Sequence, residues 1–321
     1  MRPFLLPVKY KLNSVCTHFF DVTFALQLKH YMKITVLQKA LFSVACICSL
    51  SVNAQTKAGK VNLTKGQKIQ VDNTVNTTVG MEMMGQSMDM VTDAAMQFKV
   101  DVKDKKDASY NLTSTLTKMA TKGGMMGQTY SFDSDNKKDV DSSEIGKMMR
   151  NELNVPKDVE INNQGQIINQ KPVEENTSEA GQNPMMGMMK GMTSAGTAVS
   201  SVSEVLLAIP AGAKTGDSWS DSTVLEGVKV FRTYTVKDIS NNIATLSIDG
   251  NQSITKTMEQ QGAEITMNMQ AKITGDTKVD TKTGVVQEKN FTMDGNGTVD
   301  AMGQSIPMTL KVTSVTKVKS L

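Results

Sequence analysis

Period-two alternation sustained over long stretches is the feature that most constrains this chain. Ile69, Val71, Val75, Val79, Met81 and Met83 share one parity, with Asn73 and Thr77 as polar exceptions. After Gly85-Gln86 the pattern restarts with Met88, Met90, Ala94, Met96, Phe98, Val100 and Val102. Asp104–Asp107 turns the chain into Ala108, Tyr110, Leu112 and Leu116, and Gly123-Gly124 turns it toward Tyr130 and Phe132. Alternation with turn residues between the runs predicts antiparallel hairpins that bury one face. The runs exceed the roughly three to ten residues of an ordinary strand, and long twisted strands tend to coil toward a barrel or half-barrel.

The pattern breaks over 133–208. Asp141-Ser142-Ser143-Glu144 reads as a helix start, and Ile145, Met148, Met149 and Leu153 then share one face, predicting a helix over 142–153. Val159–Ile161 and Ile167-Ile168 flank Asn163-Gln164-Gly165 as a small hairpin. Residues 171–196 are polar, Gly-rich and Met-rich without a period, a loop pattern. Val199, Val202, Val205, Leu206 and Ile209 return to helical spacing, predicting a helix over 197–208 that Pro210 ends. Alternation resumes with Val228, Val230, Tyr234 and Val236, then Ala244 to Ile248, Ile265 to Ile273, Val285 to Met293 and Ile306 to Val318. The expected class is therefore mainly β (α+β): long curved antiparallel strands in two similar blocks, 55–132 and 209–321, as a barrel or half-barrel, with a helical and Met-rich loop insert over 133–208. Met84-Gly-Gln-Ser87, Met126-Gly-Gln-Thr129 and Met302-Gly-Gln-Ser305 echo one another at strand starts or turns, which fits two related halves.

Before the first block, Met32–Ala54 has Lys33 and Lys39 in front of an apolar run from Ala40 to Val52, then a small-residue exit before Gln55. This is the pattern of a secretory signal peptide, too short to be a membrane span. Met32 then reads as the start, with 1–31 as upstream sequence. The expected product is exported to the periplasm, cell surface or extracellular space, with no membrane span after cleavage. Ser43-Val44-Ala45-Cys46 also resembles a lipobox. Ser43 stands where a leucine is usual and the apolar run continues past Cys46, so cleavage between Ala54 and Gln55 is preferred to a lipoprotein anchored at Cys46.

All the cysteines (Cys16, Cys46, Cys48) and histidines (His18, His30) precede that cleavage point. Residues 55–321 therefore offer no Ser-His-Asp triad, thiol nucleophile or His-ligated zinc. Ser134-x-x-Lys137 and Ser253-x-x-Lys256 do not open helices in this reading, as a Ser-Lys nucleophile would. A carboxylate-pair glycosidase would want more stacking aromatics. A non-enzymatic protein with no cofactor is expected. The leader carries a net +5 of the chain's +3, leaving −2 beyond it, and only Arg150 and Arg232 are arginines there, which argues against a nucleic-acid partner.

Of 24 methionines only Met1 and Met32 precede Gln55. Methionine fills irregular cores, lines adaptable apolar pockets, and in clusters ligates Cu(I). Most strand methionines share parity with Val, Ile and Phe, as core residues would. Met96, Phe98, Met267, Met269 and Trp219 are the candidate ligand-pocket residues, and Met185, Met186, Met188, Met189 and Met192 the candidate Cu(I) cluster. Asp133 to Glu144 spaces acids like a calcium loop, but Lys137 and Lys138 oppose a cation; a solvated strand exit with Asp141 as helix cap is the favoured reading.

An exported leader, long alternating strands, a strand end at Phe132-Asp133-Ser134-Asp135, a helix, and Ile209-Pro210 followed by Lys214-Thr-Gly-Asp-Ser-Trp219 at the second block resemble a family of exported, β-rich bacterial proteins classed as a domain of unknown function. The resemblance implies the fold and brings no catalytic residues. In architecture alone the chain also resembles the half-barrels of lipoprotein carriers and related lipid-binding periplasmic proteins. The leading expectation is a binding protein for an apolar or lipid-like molecule held in a curved sheet, with helices 142–153 and 197–208 over its opening. The rival is a structural or protein-interaction module of the cell envelope whose two β halves pack on one another without ligand, with an envelope protein as its partner, and Cu(I) binding is third. Mass spectrometry of the secreted chain is expected to find Gln55 at the N-terminus; a diacylated Cys46 would contradict the leader assignment.

Overall fold

The computed structural model describes residues 59–83, 86–125, 128–150, 152–170, 202, 204–225, 227–260, 263–301 and 303–321. Its strands are β1 (Lys68–Met83), β2 (Gln86–Lys105), β3 (Ser109–Met125), β4 (Gln128–Asp133), β5 (Lys157–Asn162), β6 (Ile167–Gln170), β7 (Ser218–Leu225), β8 (Val228–Ser240), β9 (Ile243–Gln260), β10 (Ala263–Asp280), β11 (Val286–Ala301) and β12 (Gln304–Ser320). All join one antiparallel sheet in the order β6-β5-β3-β2-β1-β12-β11-β10-β9-β8-β7, with β4 on the upper half of β3 beyond β5. The chain is mainly β, as the alternation predicts. The two blocks meet where β1 pairs with β12 from Ile69↔Ser320 to Met81↔Met308. The path ends at β6 and β7, which do not pair with each other, so the sheet is open and the barrel alternative is corrected.

Turn chemistry explains the registers. At one end, Met83↔Gln86, Met125↔Gln128, Leu225↔Val228, Gln260↔Ala263 and Ala301↔Gln304 each enclose two residues, the second always glycine. Gly227 and Gly303 have φ of 83° and 76°, the left-handed region such hairpins require. At the opposite end Asn241 and Asn242, with φ of 51° and 62°, connect β8 to β9. The Met-Gly-Gln echo thus marks three of five hairpins at one end.

The insert departs from expectation. Two short helices, α1 (Lys137–Ser142) and α2 (Glu144–Met149), replace the single helix predicted over 142–153. Ser143 is the reason: its backbone is extended, and its Oγ accepts from Gly146 N at 2.9 Å and donates to the Asp139 carbonyl at 2.5 Å. Asn136, not Asp141, caps α1. Leu153 lies outside α2, in a parallel bridge to Leu116. The helix predicted over 197–208 does not reach 208. From Val205 onward the backbone bonds to β11 and the turn before it: Val286 N to the Val205 carbonyl at 2.9 Å and Leu207 N to the Gly284 carbonyl at 2.8 Å. The hairpin at Val159–Ile168 forms as predicted.

One face of the sheet carries three apolar clusters. The first packs Val71, Phe98, Leu112, Phe132 and Ile161 with Val61 and Leu63 ahead of β1 and Val202 and Val205 ahead of β7. The second holds Tyr234, Leu246, Ile248, Val279 and Val286, with Ile209 and Trp219 against them. The third lies nearer the two-residue turns, across β2, β1, β12, β11 and β10. The other face is polar, with cross-strand ion pairs such as Lys237–Asp276 at 2.7 Å and hydroxyl pairs such as Thr274–Thr292 at 3.0 Å. Strands approach closely at glycines on the inner face: a Cβ at Gly250 would fall 2.4 Å from the Phe231 carbonyl oxygen. Gly250→Val is expected to lower stability by about 1–3 kcal/mol through this clash, read from urea unfolding. Val224→Thr, at an exposed site, is expected to change it by less than about 0.5 kcal/mol.

Candidate functional site

Alternation places charge on the buried face. Val228, Val230, Arg232, Tyr234 and Val236 share one parity of β8, so Arg232 is carried inward with its apolar neighbours. On β11, Lys289 shares parity with Phe291 and Met293, and is 6% exposed. The bridge from Leu206 to Val285 lays the 204–207 segment across these strands and delivers Glu204 to both cations. Its carboxylate pairs with Lys289 Nζ through Oε2 and with Arg232 Nη2 through Oε1, the latter at 3.5 Å.

The network continues outward. Arg232 Nη1 donates to Tyr234 Oη at 3.4 Å, and Tyr234 Oη donates to Asp221 Oδ2 at 3.3 Å. Trp219 stacks on Tyr234 with ring centres 5.7 Å apart, and Lys289 Nζ lies 5.5 Å from the centre of the Phe291 ring. Glu204, Asp221, Arg232, Tyr234, Thr277 and Lys289, with Leu206, Leu207 and Val286, line a partly open pocket of about 40 Å³. That is room for a few waters or one small polar group.

Burial and charge compete here. Burial pushes the Glu204 carboxyl up, but Lys289 and Arg232 outweigh it and hold the pKa down to about 2. Burial pushes Asp221 up, against the attraction of Arg232. It pushes the Tyr234 hydroxyl up as well. Burial opposes the charge on Arg232, yet Glu204 keeps the guanidinium more firmly protonated than usual. Glu204 is consequently a poor proton acceptor, and the cluster is organised around anion–cation attraction.

The sequence-derived pocket residues fall into different clusters. Phe98 is buried in the first, with Met96 packed against it. Trp219 borders the second, where it reaches the charged network through Tyr234. Met269 is buried in the third, with Met267 beside it. The methionines at 185–192 and the cleavage pair Ala54 and Gln55 lie outside the described residues. In the acidic stretch, Asp133 Oδ1 accepts from Asp135 N at 2.8 Å, and Asp135 pairs with Lys118 at 2.7 Å. Among the described residues no three acidic side chains converge as a cation site. The Glu204–Asp221–Arg232–Lys289 cluster escaped the sequence reading, although Arg232 interrupts the apolar run Val228, Val230, Tyr234 and Val236 and was legible as an inward charge.

A family model matches residues 107–286, more than half of the chain. The chain belongs to DUF6263, a family of unknown function. Three of the four charged cluster residues of this DUF6263 protein fall within the matched span, and Lys289 lies just beyond it. No curated protein matches. Among solved structures, a lipovitellin structure concerned with lipid–protein interactions aligns at 10% identity and TM-score 0.46, over 80% of this chain and 25% of that one. The chain thus spans about a quarter of lipovitellin. An outer-membrane channel of Pseudomonas putida F1 aligns at 8% identity and TM-score 0.21, over 81% of this chain and 98% of that one. OpdQ of Pseudomonas aeruginosa aligns at 6% and 0.18, over 79% and 99%. Likenesses at these TM-scores carry no argument about activity. No helix among the described residues is long and apolar enough to cross a membrane.

The pKa of Glu204 lies below its ordinary 4.5, so its stabilisation is complete above that value and is lost as pH falls toward about 2. The interval is worth at most about 3 kcal/mol, and a side chain one-third open to solvent realises about 2 kcal/mol of it. Glu204→Gln is expected to lose about that much stability at pH 7. The gap to the unmodified protein should narrow between pH 4.5 and about 2 in urea unfolding series; a gap independent of pH would contradict the assignment.

Proposed function

We propose that this DUF6263 protein is an exported, non-enzymatic binding protein that holds an apolar, lipid-like molecule against the inner face of its sheet. The third apolar cluster carries the reading. Met90, Met269 and Met308 are buried there with Val79, Val299, Leu310 and Val312, and Met81, Met267 and Met293 pack against them. Every described member is a strand residue, whereas the first two clusters are also packed by segments outside the strands. Thioethers are flexible and polarisable, so a wall rich in them adapts to an irregular apolar guest. The leader before Gln55 supports export, and the absence of histidine and cysteine beyond it supports binding over catalysis.

Native mass spectrometry of residues 55–321, purified from the export compartment, is expected to show a releasable lipid-sized adduct. Met269→Ala, in the third cluster, should diminish the adduct. Met119→Ala, in the first, should retain it at a comparable stability loss of about 2–5 kcal/mol. A bare mass in every preparation would count against the reading.

A further inference from the structure

Cations at inward strand positions, Lys289 buried and Arg232 half-buried, need a reason, because an ion pair in such a place seldom stabilises more than apolar residues of the same volume. Glu204 answers only part of the demand. Among the described residues, the contacts of the Arg232 guanidinium are long, 3.5 Å to Glu204 and 3.4 Å to Tyr234, although the group offers five donors in a fork shaped for a carboxylate. Arg232 and Lys289 face one cavity, of a size for a carboxylate but not for a sugar ring or a phosphorylated nucleoside. Arg232 and Lys289 share this pocket with the carboxylates of Glu204 and Asp221.

A track leads away from this pocket. Lys289, Phe291, Met293, Gly295, Gly297 and Val299 occupy the inner face of β11 in succession, from the cation to the methionine cluster. At about 3.3 Å per residue this is roughly 30 Å, enough for an extended acyl chain. Gly295 and Gly297 raise no side chain along the middle of it.

We propose that the pocket between Arg232 and Lys289 is a carboxylate subsite, in which Glu204 holds the place that an external carboxylate takes. That carboxylate is the acidic end of an amphiphile lying along β11, or a free small carboxylic acid. The first source rests on the apolar-binding reading above; the second does not.

Trp219 is the chain's one tryptophan and stacks on Tyr234, so its fluorescence reports on the pocket. Residues 55–321 are titrated with palmitate, with hexadecanol, which has the chain without the charge, and with acetate, which has the charge without the chain. Palmitate is expected to bind about tenfold or more tighter than hexadecanol, the effect of a charge-assisted hydrogen bond. Lys289→Met should abolish that difference while keeping hexadecanol binding, which also shows that the variant is folded. Arg232→Lys, which keeps the charge but not the fork, should reduce it. Glu204→Gln, which removes the internal competitor, should tighten palmitate binding several-fold. Saturation by acetate with no gain from the chain would uphold the subsite and assign it to a free small acid. Equal binding of palmitate and hexadecanol would overturn the subsite and leave the apolar reading standing. Acetate binding without either chain compound would do the reverse, and no response to any of the three would overturn both.

Discussion

The pairing of β1 with β12 is the constraint on which the rest of the molecule depends. Each block alone is a meander built by local turns, and its register follows from two-residue loops with glycine second. Among the described residues, the β1–β12 ladder, joining Ile69–Met81 to Ser320–Met308, is what makes the two meanders one sheet with a shared inner face. A slip of one residue there would turn every inward residue of one block to solvent. The third apolar cluster draws on both sides of that ladder, Val79 and Met90 from one block and Met269, Val299 and Met308 from the other. It exists only because the ladder is in register.

On that shared face, packing and electrostatics divide the labour. Val, Ile, Leu and Phe fill the first two clusters, and the segments around Leu63 and Val205 complete them. Methionine is the most frequent residue of the third once its partly buried members are included, and no described segment outside the strands contributes there. The charged cluster borders the second, held by Glu204 from the same segment that bridges Val285. Segment 204–207 therefore both completes the core and brings Glu204 to the two cations, which couples the state of the pocket to the packing beside it.

Much of the fold was legible because strands with one buried face write their geometry into the sequence as alternation. The Met-Gly-Gln echo at Met84, Met126 and Met302 falls at three of the five hairpins at one end, although the turn expected at Gly123-Gly124 lies within β3 and the chain reverses between Met125 and Gln128 instead; the hairpins between Leu225 and Val228 and between Gln260 and Ala263 lack the tetrapeptide. Helix boundaries were lost to local competition. Ser143 satisfies the ends of α1 and α2 with one hydroxyl, so a continuous apolar face did not become a continuous helix. After Val205, helical spacing lost to pairing with β11 and its preceding turn. The charged cluster was partly visible: Arg232 breaks an apolar parity run, but Lys289 follows the polar Gln287 on its own parity, and Glu204 meets Lys289 from 85 residues away, a contact no local pattern reports.

On the function proposed above, the methionine-rich end of the inner face is a binding surface and not merely filled core. Methionine-methyl NMR of residues 55–321 tests it most directly. With methyls assigned by single substitutions, palmitate is added to protein stripped of bound lipid. Binding at this end is expected to shift the signals of Met90, Met269 and Met308 in a saturable way while that of Met119, in the first cluster, stays in place. Unmoved signals from the first three, or equal shifts at Met119, would contradict it.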